Sequence, residues 1–404
     1  MIVLLGVLVW VLRLGAAAWA MALLVVVVGT FVPRTPVVGF LGSFVSGQYP
    51  LHAALAALVG VGLGTGVVGV GSGAATRALG VAVGAVGVVA VAGTVVVVVA
   101  QVGVARSEGV RIDPVLALTA PTQSGATPDL TARYRRGPDL DLDLYRPAGA
   151  GPHPVVVWVH GGSWVRGDRR DRSAAHRRLA EQGVAVVAMD YRLPPPGPVG
   201  EGQRADVARA LGWVRDHAGE HGLDAGSVTL AGQSAGATLA LATASGLVAG
   251  DRAVTGAGGG GADEGADEGA DDGAGDGPGA RVPAPRAVAA FYPVVDMARI
   301  APSLQEAVFG GPARADPARL GAASPDRQVR AGLPPTLLVL GAADHFVLAD
   351  TVRAYDAALR RVGTPGRLLV VPYADHVFDY PFGSPGAQIA RTALARFVER
   401  YGRA

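Results

Sequence analysis

The chain has 404 residues, of which 50% are hydrophobic, and its formal net charge is +2 at pH 7. It contains no cysteine, which excludes disulfide bonds and thiol chemistry. The small net charge offers no basic footprint for nucleic acid, and the sequence holds neither a phosphate-binding loop nor a cluster of metal ligands. We therefore expect no metal, no other cofactor and no nucleic-acid partner.

The first quarter of the chain is strongly apolar. Residues 2–32 carry one charge, Arg13, and residues 51–71 and 79–101 carry none. A helix needs about 20 apolar residues to cross a bilayer, so the composition predicts about three transmembrane helices over residues 1–104. A cleaved signal peptide is the alternative for the first segment alone, because it cannot account for the other two.

Within these apolar segments, glycines recur at the four-residue spacing that permits close helix packing; they are Gly60, Gly64, Gly80 and Gly84. Three spans would place the two ends of the region on opposite sides of the membrane. Since the first span resembles a signal anchor, we expect a multi-pass protein of the cell membrane whose following domain is extracytoplasmic. Residues 105–128 are mainly polar, contain three prolines and are interpreted as a linker.

From residue 129 the pattern changes to alternating strands and helices. Residues 130–135 and 140–145 alternate apolar and polar side chains, which predicts an antiparallel edge hairpin. The continuous apolar runs 154–159 and 184–189 are typical of buried parallel strands. Such alternation predicts an α/β fold over residues 129–404, with a mostly parallel eight-stranded sheet flanked by helices.

The first of these buried runs ends in the sequence His-Gly-Gly-Ser-Trp, residues 160–164. Acyl transfer passes through a tetrahedral oxyanion that needs preorganised N–H donors. Gly161 and Gly162 let the backbone approach closely and direct two N–H groups at one point, so we interpret them as oxyanion-hole donors. His160 and Trp164 are interpreted as residues that shape this loop. The simpler alternative for the segment is a plain glycine turn.

Residues 232–236 read Gly-Gln-Ser-Ala-Gly, which is the most informative stretch of the chain. An apolar, partly β-branched run precedes it and a good helix former follows, as a nucleophile elbow requires. The turn is so tight that glycine is needed at both Gly232 and Gly236. The pattern predicts Ser234 as the nucleophile and the N–H of Ala235 as a further oxyanion donor.

Two late strands each run into a neighbouring acid and histidine. Asp344 and His345 follow one apolar run, and Asp375 and His376 follow the next. Serine, aspartate, histidine is the chain order of α/β-hydrolases. We expect His376 to be the general base and Asp344 to orient it, with His345 as the alternative base. Asp375 and Asp379 are expected to be solvated loop carboxylates.

The motifs at 160–164 and 232–236 together resemble the carboxylesterases of the hormone-sensitive-lipase-like and feruloyl-esterase-like branches of the α/β-hydrolase superfamily. Two further stretches are similar to the same pattern. They are Asp-Tyr-Arg-Leu at 190–193, after the fourth predicted strand, and Ala-Ser-Pro at 323–325.

This resemblance covers roughly residues 129–404. It departs from the hormone-sensitive-lipase branch at Ser163, where that branch usually has a third glycine, and is closer there to feruloyl-esterase-like and kynurenine-formamidase-like members. The resemblance implies the α/β-hydrolase fold, with Ser234, Asp344 and His376 as the catalytic triad. It also implies that three residues supply oxyanion-hole N–H groups: Gly161, Gly162 and Ala235.

Three stretches have no catalytic assignment. At about 250–282 we expect a disordered acidic insert, because residues 256–279 hold no hydrophobic side chain larger than alanine; calcium binding is the alternative, although the spacing is not that of an EF-hand. Residues 296–324 are expected to form a cap or an ordinary connecting loop. Candidate residues of an acyl pocket in the cap are Ile300, Leu304, Val308 and Phe309.

The arginine-rich stretch 166–178 is interpreted as a solvated helix face, or alternatively as a contact for anionic lipid.

Taken together, these patterns predict a membrane-anchored serine hydrolase that cleaves carboxylic esters through an acyl-enzyme. Its expected partners are the lipid bilayer and a small-molecule or lipid-like ester; the sequence leaves the oligomeric state open. Amide or formamide hydrolysis, or acyl transfer at the membrane, is the alternative, because a triad is common to all of these reactions. A second alternative is a non-catalytic membrane scaffold that retains a hydrolase fold.

Overall fold

A computed structural model of the chain describes residues 2–70, 73–120, 122, 125–193, 201–251, 254, 282–309 and 317–402. The contacts within the chain group it into two units. The first unit consists of Met1–Gln123, Leu340–Ala349 and Val370–Ala393. The second unit consists of Ser124–Val339, Asp350–Leu369 and Leu394–Ala404.

The amino-terminal part of the first unit is helical. Its α-helices are α1 (Ile2–Phe31), α2 (Pro36–Gly42), α3 (Pro50–Val70), α4 (Ala74–Ser107) and α5 (Pro114–Thr119). Among the described residues, α1, α3 and α4 are the three helices long and apolar enough to cross a membrane. Helix α5 lies within the stretch that the sequence analysis interpreted as a linker.

Glycines bring α3 and α4 into close contact. A Cβ added to Gly64 would lie 2.6 Å from Cα of Gly84 and 2.7 Å from the carbonyl oxygen of Gly80. A Cβ added to Gly60 would lie 2.6 Å from a methyl group of Leu23 in α1. All four glycines noted in the sequence lie at contacts between apolar helices, and at Gly64 and Gly80 a Cβ would come within 3.0 Å of backbone atoms of the neighbouring helix.

Eight strands of the described residues form one sheet in the order β1-β2-β4-β3-β5-β6-β7-β8. In chain order they are Leu130–Arg135, Leu140–Tyr145, His153–Val159, Ala185–Met189, Leu223–Gln233, Ala287–Phe291, Thr336–Gly341 and Gly366–Val371. Strand β2 is antiparallel to β1 and β4, whereas β3 is parallel to β4 and β5, and β6 is parallel to β5 and β7. The predicted mostly parallel sheet with an antiparallel edge hairpin is confirmed.

Within the described residues, seven further α-helices accompany the sheet. They are α6 (Ser173–Glu181), α7 (Glu201–His221), α8 (Ala235–Ala249), α9 (Pro302–Phe309), α10 (Pro317–Ala323), α11 (Ala349–Arg361) and α12 (Pro385–Phe397). The central strands are continuous apolar runs and are buried along almost their whole length, as strands covered on both faces must be.

Two predicted insertions have different outcomes. Most of the acidic insert expected at about 250–282 lies outside the described residues. The expected cap at 296–324 contains α9 and α10, and within it Val308 and Phe309 are buried. Val308 and Trp164 both line a small cleft in the second unit. The acyl pocket expected in this stretch stays a prediction.

Candidate active site

Ser234 lies between β5, which ends at Gln233, and α8, which begins at Ala235. Its φ of 51° and ψ of −120° lie outside the conformations that serine normally adopts. The Ser234 N–H donates to the Phe291 carbonyl at 2.9 Å, which ties the turn to the end of β6. A strained non-glycine residue between strand and helix is the geometry of a nucleophile elbow.

Steric crowding requires glycine two residues before and two residues after Ser234. A Cβ on Gly232 would lie 2.6 Å from the carbonyl carbon of Gly236, and a Cβ on Gly236 would lie 2.6 Å from the carbonyl carbon of Val159. Real Cβ atoms essentially never approach backbone atoms so closely. The tight turn predicted from the sequence is therefore built as expected, and it lies directly against the end of β3.

The loop after β3 packs its backbone against the serine. A Cβ on Gly161 would lie 3.3 Å from Cβ of Ser234. The loop then turns at Gly162, which has a φ of +118°. Ser163 has a φ of 55° and the buried Trp164 a φ of 63°. Because Ser163 takes a left-handed conformation that glycine adopts without steric cost, a third glycine would fit there equally well.

The N–H groups expected to bind an oxyanion are available. In the part of the chain that the structure describes, no protein acceptor receives a hydrogen bond from the N–H of Gly161 or Gly162. Ala235 is the first residue of α8, and the first N–H groups of a helix have no carbonyl partner within it. The positive end of the helix dipole also favours negative charge at this position.

His160 supports the loop rather than the chemistry. Its ring is buried and stacks on Tyr191, with ring centroids 4.2 Å apart. Nδ1 donates to the Gly161 carbonyl at 2.7 Å, and this bond orients the peptide that follows Gly161. Burial lowers the pKa of His160, so the ring is neutral at pH 7.

A buried polar network lies behind Ser234, and no pattern in the sequence indicates it. Arg172 donates to the hydroxyl of Tyr292 at 2.8 Å, and that hydroxyl donates to Oε1 of Gln233 at 3.3 Å. Arg172 is 1% exposed, so its assignment to a solvated helix face is wrong. Gln233 immediately precedes Ser234, and the network therefore fixes the end of β5.

In the first unit, Asp344 and His376 form a pair. Oδ2 of Asp344 lies 2.9 Å from Nδ1 of His376. The other oxygen of Asp344 accepts the N–H groups of Phe346 and Val347 at 2.9 and 2.7 Å, and the carboxylate is fully buried. This is the arrangement by which an aspartate holds a catalytic histidine in one tautomer.

The neighbouring residues form a separate pair. Nδ1 of His345 lies 2.7 Å from Oδ2 of Asp375, and Nε2 donates to the Pro33 carbonyl at 2.6 Å. Both ring nitrogens are thus engaged, which argues against His345 as the general base. Asp375 is 0% and Asp379 7% exposed, so the prediction that both are solvated is wrong. A carboxylate can be buried in this way only when several donors compensate its lost hydration.

The predicted site residues thus fall in two groups. Ser234, the oxyanion-loop residues 160–164 and Ala235 belong to the second unit, and Asp344 and His376 belong to the first. Among the described residues, no group of three His, Cys, Asp or Glu side chains is arranged to hold a metal ion.

Several proteins similar to this chain are named as esterases or ester hydrolases. The BD-FAE family model matches residues 142–359. LipM of Mycobacterium tuberculosis, named a probable carboxylic ester hydrolase, is 31% identical over 278 residues, which cover 66% of this chain and 56% of LipM. The esterase LipQ of the same organism is 30% identical over 254 residues, covering 59% and 54% of the two chains. The chain spans about half the length of these curated relatives.

Solved structures agree with this similarity. Apo esterase 2 of Thermogutta terrifontis has a TM-score of 0.53 at 25% identity, covering 70% of this chain and 97% of the esterase. The same esterase phosphorylated by paraoxon has a TM-score of 0.52 at 25% identity, with 67% and 93% covered.

Proposed function

Because the chain belongs to the BD-FAE family of α/β-hydrolase carboxylesterases, we propose that it is a membrane-anchored serine hydrolase that cleaves carboxylic esters. The observation that carries this proposal is the strained Ser234 at the start of α8, with the backbone of Gly161 packed against it. Strain of this kind is retained where a site must be preorganised, and here it presents a hydroxyl beside unused N–H donors.

The first half of the proposed reaction forms an acyl-enzyme. Oγ of Ser234 attacks the acyl carbon while Nε2 of His376 accepts the hydroxyl proton, and Asp344 stabilises the resulting imidazolium. The ester C–O bond then breaks, and His376 gives its proton to the departing alcohol. Until that bond breaks, the negative charge on the acyl oxygen is bound by three N–H groups, those of Gly161, Gly162 and Ala235.

The second half of the reaction removes the acyl group. Water attacks the acyl carbon while His376 takes one of its protons, and a second oxyanion forms at the same donors. The bond to Oγ of Ser234 breaks, the carboxylic acid leaves, and His376 returns the proton to the serine. The cycle needs no cofactor.

The membrane part of the proposal rests on the three long apolar helices α1, α3 and α4. We propose that they span the cell membrane and that the catalytic domain is extracytoplasmic. This location favours a lipid-like ester, or another ester found near the bilayer, as the substrate. Proteolysis of intact cells tests the orientation: an exterior domain is digested beyond residue 110, whereas protection of that part of the chain would contradict it.

The test of the chemistry uses the full chain in detergent micelles. We expect it to hydrolyse p-nitrophenyl esters and to be inactivated by paraoxon, which phosphorylates the Thermogutta terrifontis esterase 2. Ser234→Ala should abolish both reactions. Ser245→Ala is the matched control, because Ser245 is a buried serine of α8, the helix that follows Ser234, and its hydroxyl donates to the Gln328 carbonyl.

The adduct and the substrate range separate the alternatives. Mass spectrometry should locate the phosphoryl group on Ser234, and a series of acyl lengths should give an optimum that sizes the acyl site. A folded chain that takes no label would support a non-catalytic scaffold. A chain that labels at Ser234 but cleaves only amides, or only transfers the acyl group, would contradict ester hydrolysis as its reaction.

A further inference from the structure

A segment between α1 and α3 contacts the loops that carry Asp344 and His376. This segment, residues 33–48, is called here the bracing segment; it contains α2 and the π-helical turn Ser43–Gly47. All of these residues belong to the first unit.

Hydrogen bonds from the bracing segment reach the loop of His376 at two points. The hydroxyl of Ser43 lies 2.5 Å from Oδ2 of Asp375, and Nε2 of Gln48 donates to the His376 carbonyl at 3.1 Å. Gln101 of α4 adds a bridge, because its Nε2 donates to the carbonyls of Gly47 at 2.8 Å and Pro372 at 3.2 Å.

Asp375 links these contacts to the backbone of the proposed base. Its Oδ1 accepts the N–H of His376 at 2.6 Å and the N–H of His345 at 3.0 Å. Its Oδ2 receives the hydroxyl of Ser43 and faces the ring of His345, which in turn donates to the Pro33 carbonyl. These contacts hold the buried carboxylate in place, because displacing it would leave the N–H groups of His345 and His376 without this acceptor.

The loop that these contacts hold is strained. Tyr373 and Val377, on either side of His376, have φ of 59° and 52°. The bracing segment also packs directly on its backbone, since a Cβ on Gly47 would lie 2.9 Å from Cα of Ala374. Strained residues keep such conformations only where their surroundings impose them. The bracing segment forms part of these surroundings, because it packs on the loop backbone.

We propose that the bracing segment positions the general base. Ser43 and Gln48 are positioning residues that act through Asp375 and the His376 backbone. This inference rests on the proposed function, in which His376 is the base. It gives these two side chains of the amino-terminal region a part in catalysis, in addition to the anchoring by the apolar helices.

The experiment compares two serines of the same turn in the full chain, in detergent micelles. Ser43→Ala removes the hydroxyl that bonds Asp375, whereas Ser46→Ala removes a buried hydroxyl that accepts from Thr30 within the helices. Active sites are counted by stoichiometric paraoxon labelling, so that kcat refers to folded, reactive enzyme. A base displaced by about 1 Å can cost on the order of 100-fold in rate.

We expect Ser43→Ala to lower kcat per active site by about 10- to 100-fold, with KM within about twofold of the Ser46→Ala value. Ser43→Thr, which keeps a hydroxyl, should recover most of the rate. A purely structural role would change the number of active sites without lowering kcat per active site.

Gln48→Leu provides a second test if Ser43→Ala does not fold, and we expect the same loss of kcat. The inference is overturned if both folded variants match Ser46→Ala in kcat per active site. Failure of the proposed function gives a different result: the wild-type chain itself would then show no Ser234-dependent hydrolysis and no label on Ser234.

Discussion

The surroundings of His176 make the stability of the second unit depend on pH. His176 lies on α6 with its ring between those of Tyr145 and Trp158, at centroid distances of 5.4 and 5.6 Å. Within the described part of the chain, neither ring nitrogen has a hydrogen-bond partner. Burial, with a smaller effect of the nearby Arg172 charge, lowers the pKa of His176 to about 3.

The folded state therefore keeps His176 neutral at pH values where the unfolded chain takes up a proton. Above about pH 6.5 the two states bind the same number of protons, and the pKa shift has no effect on stability. Between about pH 6.5 and 3 only the unfolded state is protonated, so the free energy of unfolding falls as the pH falls. Lowering the pH from 7.5 to 5.0 should therefore reduce the free energy of unfolding by about 2 kcal/mol through His176 alone.

His176→Phe removes the titrating group and keeps an aromatic ring in the apolar site. We expect the loss of unfolding free energy between pH 7.5 and pH 5.0 to be about 2 kcal/mol smaller in this variant than in the wild type. The assay is denaturant unfolding followed by tryptophan fluorescence at both pH values. For each protein, the free energy of unfolding at pH 5.0 is subtracted from that at pH 7.5. This difference is not affected by any change in packing that is the same at both pH values. An equal loss in both proteins would refute the reasoning.

Three further predictions concern the site. Asp344→Asn should lower kcat by about 10⁴-fold, because the histidine is then held in the wrong tautomer; steady-state hydrolysis should detect this while the thermal unfolding midpoint changes little. Gly236→Ala places a Cβ 2.6 Å from the carbonyl carbon of Val159, so we expect loss of paraoxon labelling and a lower unfolding midpoint, and a normally labelled variant would contradict the elbow geometry. Gly161→Ala places a Cβ 3.3 Å from Cβ of Ser234. The fold should survive this change, but a displaced N–H donor should reduce kcat by roughly 10²–10³-fold, measured against unchanged unfolding.

The inferred bracing role changes how the amino-terminal quarter is regarded. Composition identifies α1, α3 and α4 as helices suited to a bilayer, and an anchor alone would need nothing more. The contacts of Ser43, Gln48 and Gln101 with the loop of His376 give the same region a second task. Anchoring and positioning can be separated experimentally, because the serine variants leave the apolar helices intact.

The sequence by itself determined the features that depend on neighbours in the chain. The strand, the glycine-flanked Ser234 and the helix after it follow from a few consecutive residues. The mostly parallel sheet follows from continuous apolar runs that alternate with helices. Apolar length alone predicted the three long helices. In each case the physical cause acts over a few residues or one element, so a local pattern is sufficient evidence.

Only the tertiary structure decided which of the neighbouring acids and histidines belong together. Asp344 pairs with His376, while Asp375 is buried against Ser43, which lies 332 positions away in the chain. Likewise, Arg172 lies in a stretch that is charged and solvated by pattern, yet it is enclosed beside Tyr292. Burial of a polar side chain depends on distant partners that compensate its lost hydration, and no local pattern identifies those partners.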